Sequence, residues 1–136
     1  MNELNIEIVT PSQIVFTGVV KSCTVPGSSG AFQILKNHAS ILSTLDVGEI
    51  KLVKQNDDVV HYSTGGGTVE VKDNRILILA ESVETAADID ERRAMESLAK
   101  AKERIYGGEK PEVDYDRAEL SLKKAINRLN IKKKYM

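Results

Sequence analysis

Apolar and polar positions follow two different periods, and the change falls near residue 84. Leu4-Asn5-Ile6-Glu7-Ile8 alternates apolar with polar, the pattern of a strand with one face in a core. Val19, Cys23 and Val25 flank Lys21 and Thr24 in a second β-branched segment. Ile50-Lys51-Leu52-Val53 and Val59-Val60-His61-Tyr62 are separated by Gln55-Asn56-Asp57-Asp58, a turn-forming connection. Val69-Glu70-Val71 and Arg75-Ile76-Leu77-Ile78-Leu79 are joined across Lys72-Asp73-Asn74, which predicts a tight hairpin. Short strands, frequent turns and no helical repeat between them predict an all-β sandwich or barrel over residues 1–84.

Residues 85–136 follow the helical period instead. Asp88 is a candidate N-cap, answered three residues later by Glu91 in a capping-box-like arrangement. Ala94, Leu98, Ala101 and Ile105 then recur on one helical face. Gly107-Gly108 ends the helix, Pro111 forbids its early resumption, and Asp114 can cap a second one. Ala118, Leu122, Ala125 and Leu129 form the matching stripe, so the expected product is an antiparallel α-helical hairpin. A seam of alternating Ala and Leu allows close approach but buries little apolar area. Ordering costs roughly 1–2 kcal/mol of backbone entropy per residue. The hold of this hairpin is therefore expected to be conditional.

Composition narrows the class. Hydrophobic residues make up 41% and charged residues 29%, which fits a globular chain rather than a disordered one. Aromatics are 4% and Trp is absent, leaving Val, Ile, Leu and Ala to build the core. No apolar run approaches the roughly 20 residues of a membrane span. Met1-Asn2-Glu3-Leu4 lacks the basic lead of a signal peptide, and Cys23 is the single cysteine, so a cytoplasmic setting without disulfides or a cysteine-based metal site is expected. His38 and His61 are framed by no nucleophile motif, and neither Gly27-Ser28-Ser29-Gly30 nor Gly65-Gly66-Gly67 continues into Gly-Lys-Ser/Thr. Catalysis and a phosphate-binding P-loop are thereby disfavoured.

The net charge of −1 conceals an asymmetry. Residues 1–84 carry 6 Lys/Arg and 10 Asp/Glu, a net of −4, and residues 115–136 carry 7 and 2, a net of +5. A basic last segment fits an acidic partner or an anionic ligand, or simply a solvated helix face. Nucleic acid is not an expected partner, because the β half is acidic and has few aromatics for base stacking.

Several segments, in order along the chain, resemble the epsilon subunit of bacterial F-type ATP synthases. They are Val9-Thr10-Pro11, Gly30-Ala31-Phe32-Gln33-Ile34-Leu35-Lys36-Asn37-His38, Gly65-Gly66-Gly67-Thr68-Val69-Glu70-Val71, Ile89-Asp90-Glu91-Arg92-Arg93-Ala94, Arg117-Ala118-Glu119-Leu120 and Ala125-Ile126-Asn127-Arg128-Leu129. Lys36-Asn37 stands where that family commonly has Pro-Gly or Pro-Asn. The resemblance implies a sandwich of about ten strands bound to the gamma subunit and seated on the c-subunit ring. It implies a hairpin that folds back or extends towards the alpha/beta hexamer, where it inhibits ATP hydrolysis. Such a chain is a non-catalytic rotor subunit of the central stalk that couples proton flow to ATP synthesis. It would lie at the cytoplasmic face of the plasma membrane, attached only through the complex.

The resemblance also nominates sites. Ile89, Asp90, Arg93 and Ala94 are similar to an ATP-binding motif of some epsilon subunits, so ATP becomes a candidate regulatory ligand, with no cofactor required. Arg117, Lys124 and Arg128 are spaced by seven and four, share one helical face, and could meet that motif across the hairpin as a polyphosphate pocket. An exposed Asp–Arg pair beside a solvated basic stripe remains the plainer reading. Arg117, Lys123, Lys124 and Arg128 are the candidates for contact with an acidic stretch of the beta subunit, with Lys132-Lys133-Lys134 expected to be a frayed tail. His38 is assigned either to a loop facing the c ring or gamma, or to a backbone-bonded loop position.

Overall fold

In a computed structural model describing residues 3–106 and 115–135, the period-two alternation becomes buried and exposed faces. In β1 (Leu4–Val9), Leu4, Ile6 and Ile8 are buried while Asn5 and Glu7 are exposed. The strands that follow are β2 (Ile14–Val25), β3 (Phe32–Leu35), β4 (Ile41–Leu45), β5 (Gly48–Lys54), β6 (Val59–Thr64), β7 (Gly67–Lys72), β8 (Arg75–Ala80) and β9 (Val83–Thr85). Helices α1 (Glu91–Tyr106) and α2 (Tyr115–Tyr135) complete the chain. The two compact units are Met1–Thr85 and Ala86–Met136.

Nine strands are present among the described residues, against the expected ten or so. β2 explains the difference, because it runs unbroken for 12 residues. Its first half pairs with β1, and its second half lies between β3 and β5, so one long strand serves both layers of the sandwich. A register shift between Val20 and Ser22 marks the crossing. One layer follows β4-β7-β8-β1-β2, with β1 and β8 parallel, and the other continues through β5, β6 and β9. Both inner faces meet in a single aliphatic core that includes Ile8, Val25, Ile34, Ile50, Leu52, Val69 and Ile78.

Turn chemistry fixes the register. Asp73 and Asn74 take φ of 49° and 61°, the two left-handed positions of a two-residue hairpin turn between the paired Lys72 and Arg75. At Gly67 a Cβ would stand 2.1 Å from the Leu79 carbonyl oxygen, so only glycine lets β7 approach β8 there. The N–H groups of the glycine segments are spent internally. Ser28 donates to the Thr44 carbonyl, Gly30 to that of Gly27, and Gly65 to that of Ser82. That spending is the physical reason these segments serve as turns and not as anion cradles.

Within the second unit, α1 and α2 pack as an antiparallel pair. Ala86 and Ile89 before α1 are buried against Ile131 and Tyr135 at the far end of α2. The seam between the helices buries Ala94 and Ala101 on one side and Ala118 and Ala125 on the other. Leu98, Ile105, Leu122 and Leu129, the larger members of the expected stripes, are half-buried. The helix end expected at Gly107, Gly108 and Pro111 and the cap expected at Asp114 lie outside the described residues.

Candidate functional site

The sequence motif Ile89-Asp90-x-x-Arg93-Ala94 falls at the start of α1, and each member has a structural task. Ile89 is buried, and Ala94 is buried in the seam, while Asp90 and Arg93 are exposed. Asp90 Oδ1 accepts the Arg93 backbone N–H at 3.1 Å, and the Asp90 carbonyl accepts the Ala94 N–H at 2.9 Å. Asp90 is therefore the N-cap of α1. This corrects the expected capping by Asp88, which lies in the turn that precedes the helix. Arg93, three residues after the cap, takes the position where a capping box needs a carboxylate, and Glu91 sits directly after the cap instead.

The antiparallel pairing decides which α2 cations stand near that motif. At a rise of about 1.5 Å per residue, Arg128 lies roughly one turn from Ile131, and Lys124 roughly two turns from it. Arg117 sits some 20 Å from it along the axis, in the first turn of α2. The fold thus brings Arg128, then Lys124, towards Asp90 and Arg93, and leaves Arg117 at the opposite end. Lys124 and Arg128 are half-buried beside the seam, whereas Arg117 and Lys123 are exposed. Lys123, two residues from Ala125, faces away from the seam.

One further cation is bonded within the hairpin. Lys132 is not part of a frayed tail, because α2 continues through Tyr135. Its Nζ donates to the carbonyls of Ala86 and Ala87, each at 3.2 Å. The signal was present: Ala118, Ala125 and Lys132 are seven residues apart, which puts Lys132 at the next seam position.

In the sandwich, His38 occupies the loop between β3 and β4. Its backbone N–H donates to the Leu35 carbonyl at 3.1 Å, and its Nδ1 lies 2.7 Å from the Ala39 carbonyl oxygen. The next residue back, Asn37, has φ 65° and is tied to the β7–β8 turn, its N–H donating to Asn74 Oδ1 at 2.6 Å. Exposed Leu35, Ile41 and Leu42 flank this loop. The result is a braced loop with an apolar border. Burial pushes the Cys23 thiol up to about 12, so it packs as a small apolar side chain and is no nucleophile. Among the described residues, no group of three or more His, Cys, Asp or Glu is placed to hold a metal ion. No described helix is long and apolar enough to cross a membrane.

Comparison with protein families covers both units. The family model for the ATP synthase delta/epsilon chain β-sandwich domain matches residues 3–86, and that for its long α-helix domain matches residues 87–133. The chain belongs to the ATP synthase delta/epsilon family. It is similar to the ATP synthase epsilon chain of Desulforamulus reducens, with 37% identity over 91% of this chain and 92% of that relative. Its likeness to the epsilon chain of Halalkalibacterium halodurans is 36% over 96% of this chain and 98% of the relative. Among solved structures, a chain of the Euglena gracilis mitochondrial ATP synthase shares the fold, with a TM-score of 0.78 at 16% identity over 90% of this chain and 77% of that one. The family accounts for the nominated residues being spread over a β unit and a helical unit.

Proposed function

We propose that this chain is the epsilon-type subunit of an ATP synthase central stalk, with the sandwich as its platform and the hairpin as its regulatory element. The sandwich, bordered by Leu35, Ile41 and Leu42 around the His38 loop, would dock on the gamma subunit and the c ring. The basic α2, through Arg117, Lys123, Lys124 and Arg128, would meet an acidic surface of the alpha/beta hexamer and restrain ATP hydrolysis. Catalysis would reside in other subunits, and the chain would be membrane-associated only through the complex, on its cytoplasmic side. The observation that carries this reading is the unequal packing of the two units. The sandwich buries Ile8, Ile50, Leu52 and Ile78 completely, whereas the hairpin seam buries alanine. A rigid mount joined to a weakly held arm is what such a restraint needs.

ATP is the candidate ligand of the hairpin. Arg93, Lys124 and Arg128 would hold its phosphates, and the turn around Ile89 would receive the base. Magnitudes set a condition on this. Reversing a ratio of 1:99 to 99:1 takes about 5.5 kcal/mol of differential binding. A ligand at 100 times its Kd supplies only about 2.7 kcal/mol. ATP therefore works as a switch only on a hairpin already near balance, which the alanine seam favours.

The test is reconstitution of the complex with the full chain and with a chain ending at Thr85. The shortened chain should still bind gamma, and hydrolysis should rise. Failure to bind gamma would sink the platform, and unchanged hydrolysis would sink the restraint. Isothermal titration of ATP into the full chain and into Arg93→Ala tests the ligand, and equal affinities would remove Arg93 from the site.

A further inference from the structure

We propose that the last turn of α2 is a latch on the start of α1, so that Ile131, Lys132 and Tyr135 control whether Asp90 caps that helix. The proposal rests on contacts inside the second unit and does not depend on a nucleotide or a partner. Ile89 and Ile131 are 3% and 4% exposed, and they are the buried side chains of this unit larger than alanine among the described residues. Tyr135 packs against the same cluster, which also holds Ala86. The strongest apolar contact of the hairpin is therefore at its open end, not along its seam.

Lys132 adds a polar bond to the same end. Its ammonium reaches the carbonyls of Ala86 and Ala87, in the turn just before α1, where no helical ladder supplies donors. The site suits a cation twice over. An ammonium carries three donors, and the C-terminal turn of a helix, here with Lys132, Lys133 and Lys134, favours positive charge. The same turn carries a long bond of 3.4 Å from the Ile89 N–H to the Ala86 carbonyl. Residues 86–89 follow directly on β9, so the latch acts on the segment that joins the two units. When it releases, the Asp90 cap loses its fixed approach and the hairpin opens from that end.

Amide hydrogen exchange on the full chain, on Lys132→Met and on Ile131→Ala tests this. Lys132→Met keeps the apolar stem and removes the donors, so it carries the test even if Ile131→Ala unfolds the hairpin. Exchange at the amides of Ile89, Arg93 and Ala94 should rise about tenfold in Lys132→Met, and further in Ile131→Ala. Amides of Leu98 to Lys102 should rise less, and those of Ile6 and Ile78 in the sandwich should not change. Unchanged exchange at Ile89, Arg93 and Ala94 in Lys132→Met would overturn the latch. So would an equal rise along all of α1, because the end would then have no separate hold.

Discussion

The sandwich and the hairpin use the same aliphatic alphabet to different ends. Ile8, Ile34, Ile50, Leu52 and Ile78 are each 0% exposed in the sandwich core. Burying such a side chain stabilises by about 1.5–3 kcal/mol. Along the hairpin seam the buried residues are Ala94, Ala101, Ala118 and Ala125, each supplying one methyl worth about 0.8 kcal/mol. The branched side chains that would add more, Leu98 and Leu122 among them, are only half-buried. Two helices brought close by alanine are well fitted yet weakly held. The difference teaches that one unit is held by large buried side chains and the other by many small contacts.

The comparison breaks most readily by truncating one leucine in each unit. Leu52→Ala should cost the sandwich about 2–5 kcal/mol, since it leaves a cavity in a core that cannot collapse around it. Leu98→Ala should cost the hairpin less, about 1–2 kcal/mol, as part of its surface already meets water. Urea unfolding followed at sandwich and helix signals separately would read both. Equal costs would mean that the hairpin is as firmly packed as its mount.

Alkaline pH gives a second contrast, confined to the sandwich. Burial holds the Cys23 thiol neutral, with its pKa raised to about 12, while the unfolded chain ionises near its ordinary 9.0. A raised folded value means that the stability is fully present below pH 9 and is lost as pH rises towards 12. The loss approaches about 1.4 kcal/mol per pH unit in that window. Burial raises Tyr62 as well, with the nearby Cys23 adding to it, so some slope remains without the thiol. Cys23→Ala should flatten the alkaline dependence of sandwich melting and leave helix unfolding unaltered. An unchanged slope would show that the thiol ionises in place.

The cap comes next in size. Asp90→Ala should reduce hairpin stability by about 1 kcal/mol, seen as lost helical circular dichroism, and Asp88→Ala should do less. The reverse order would restore the capping first expected from sequence.

That misplacement shows where the sequence was legible and where it was not. Strands with clean alternation, such as Leu4–Ile8, announced themselves because one face needs a core and the other water. The start of β2 did not, since Ile14-Val15-Phe16 runs apolar without alternating and Gly18 interrupts it. β4 was hidden for a related reason: Ile41 and Leu42 are both exposed, and Leu45 at its end is the one buried side chain of the strand. β9 is three residues long, too short for any period. For the candidate site, the first-turn motif could be found because it is contiguous. Lys132 could not be assigned its role from composition, because a lysine run looks solvated until the antiparallel partner supplies the carbonyls it reaches.

The smallest effect concerns Lys21 and Asp57, whose side chains pair at 2.6 Å on the sandwich surface. Lys21 sits at the β2 register shift, and Asp57 in the β5–β6 turn with φ 70°, so the pair spans two features that distort the layer. Their side chains are nevertheless 47% and 75% exposed. Water and salt screen such a pair, and holding a long lysine chain offsets much of the attraction, leaving about 0.2–0.5 kcal/mol. A double-mutant cycle with Lys21→Met and Asp57→Asn reads the coupling directly, because asparagine tolerates the left-handed backbone and keeps the turn. A coupling above about 1 kcal/mol would move part of the sandwich's hold from its core to its surface. A value near the lower figure leaves the aliphatic interior as the main hold of the sandwich.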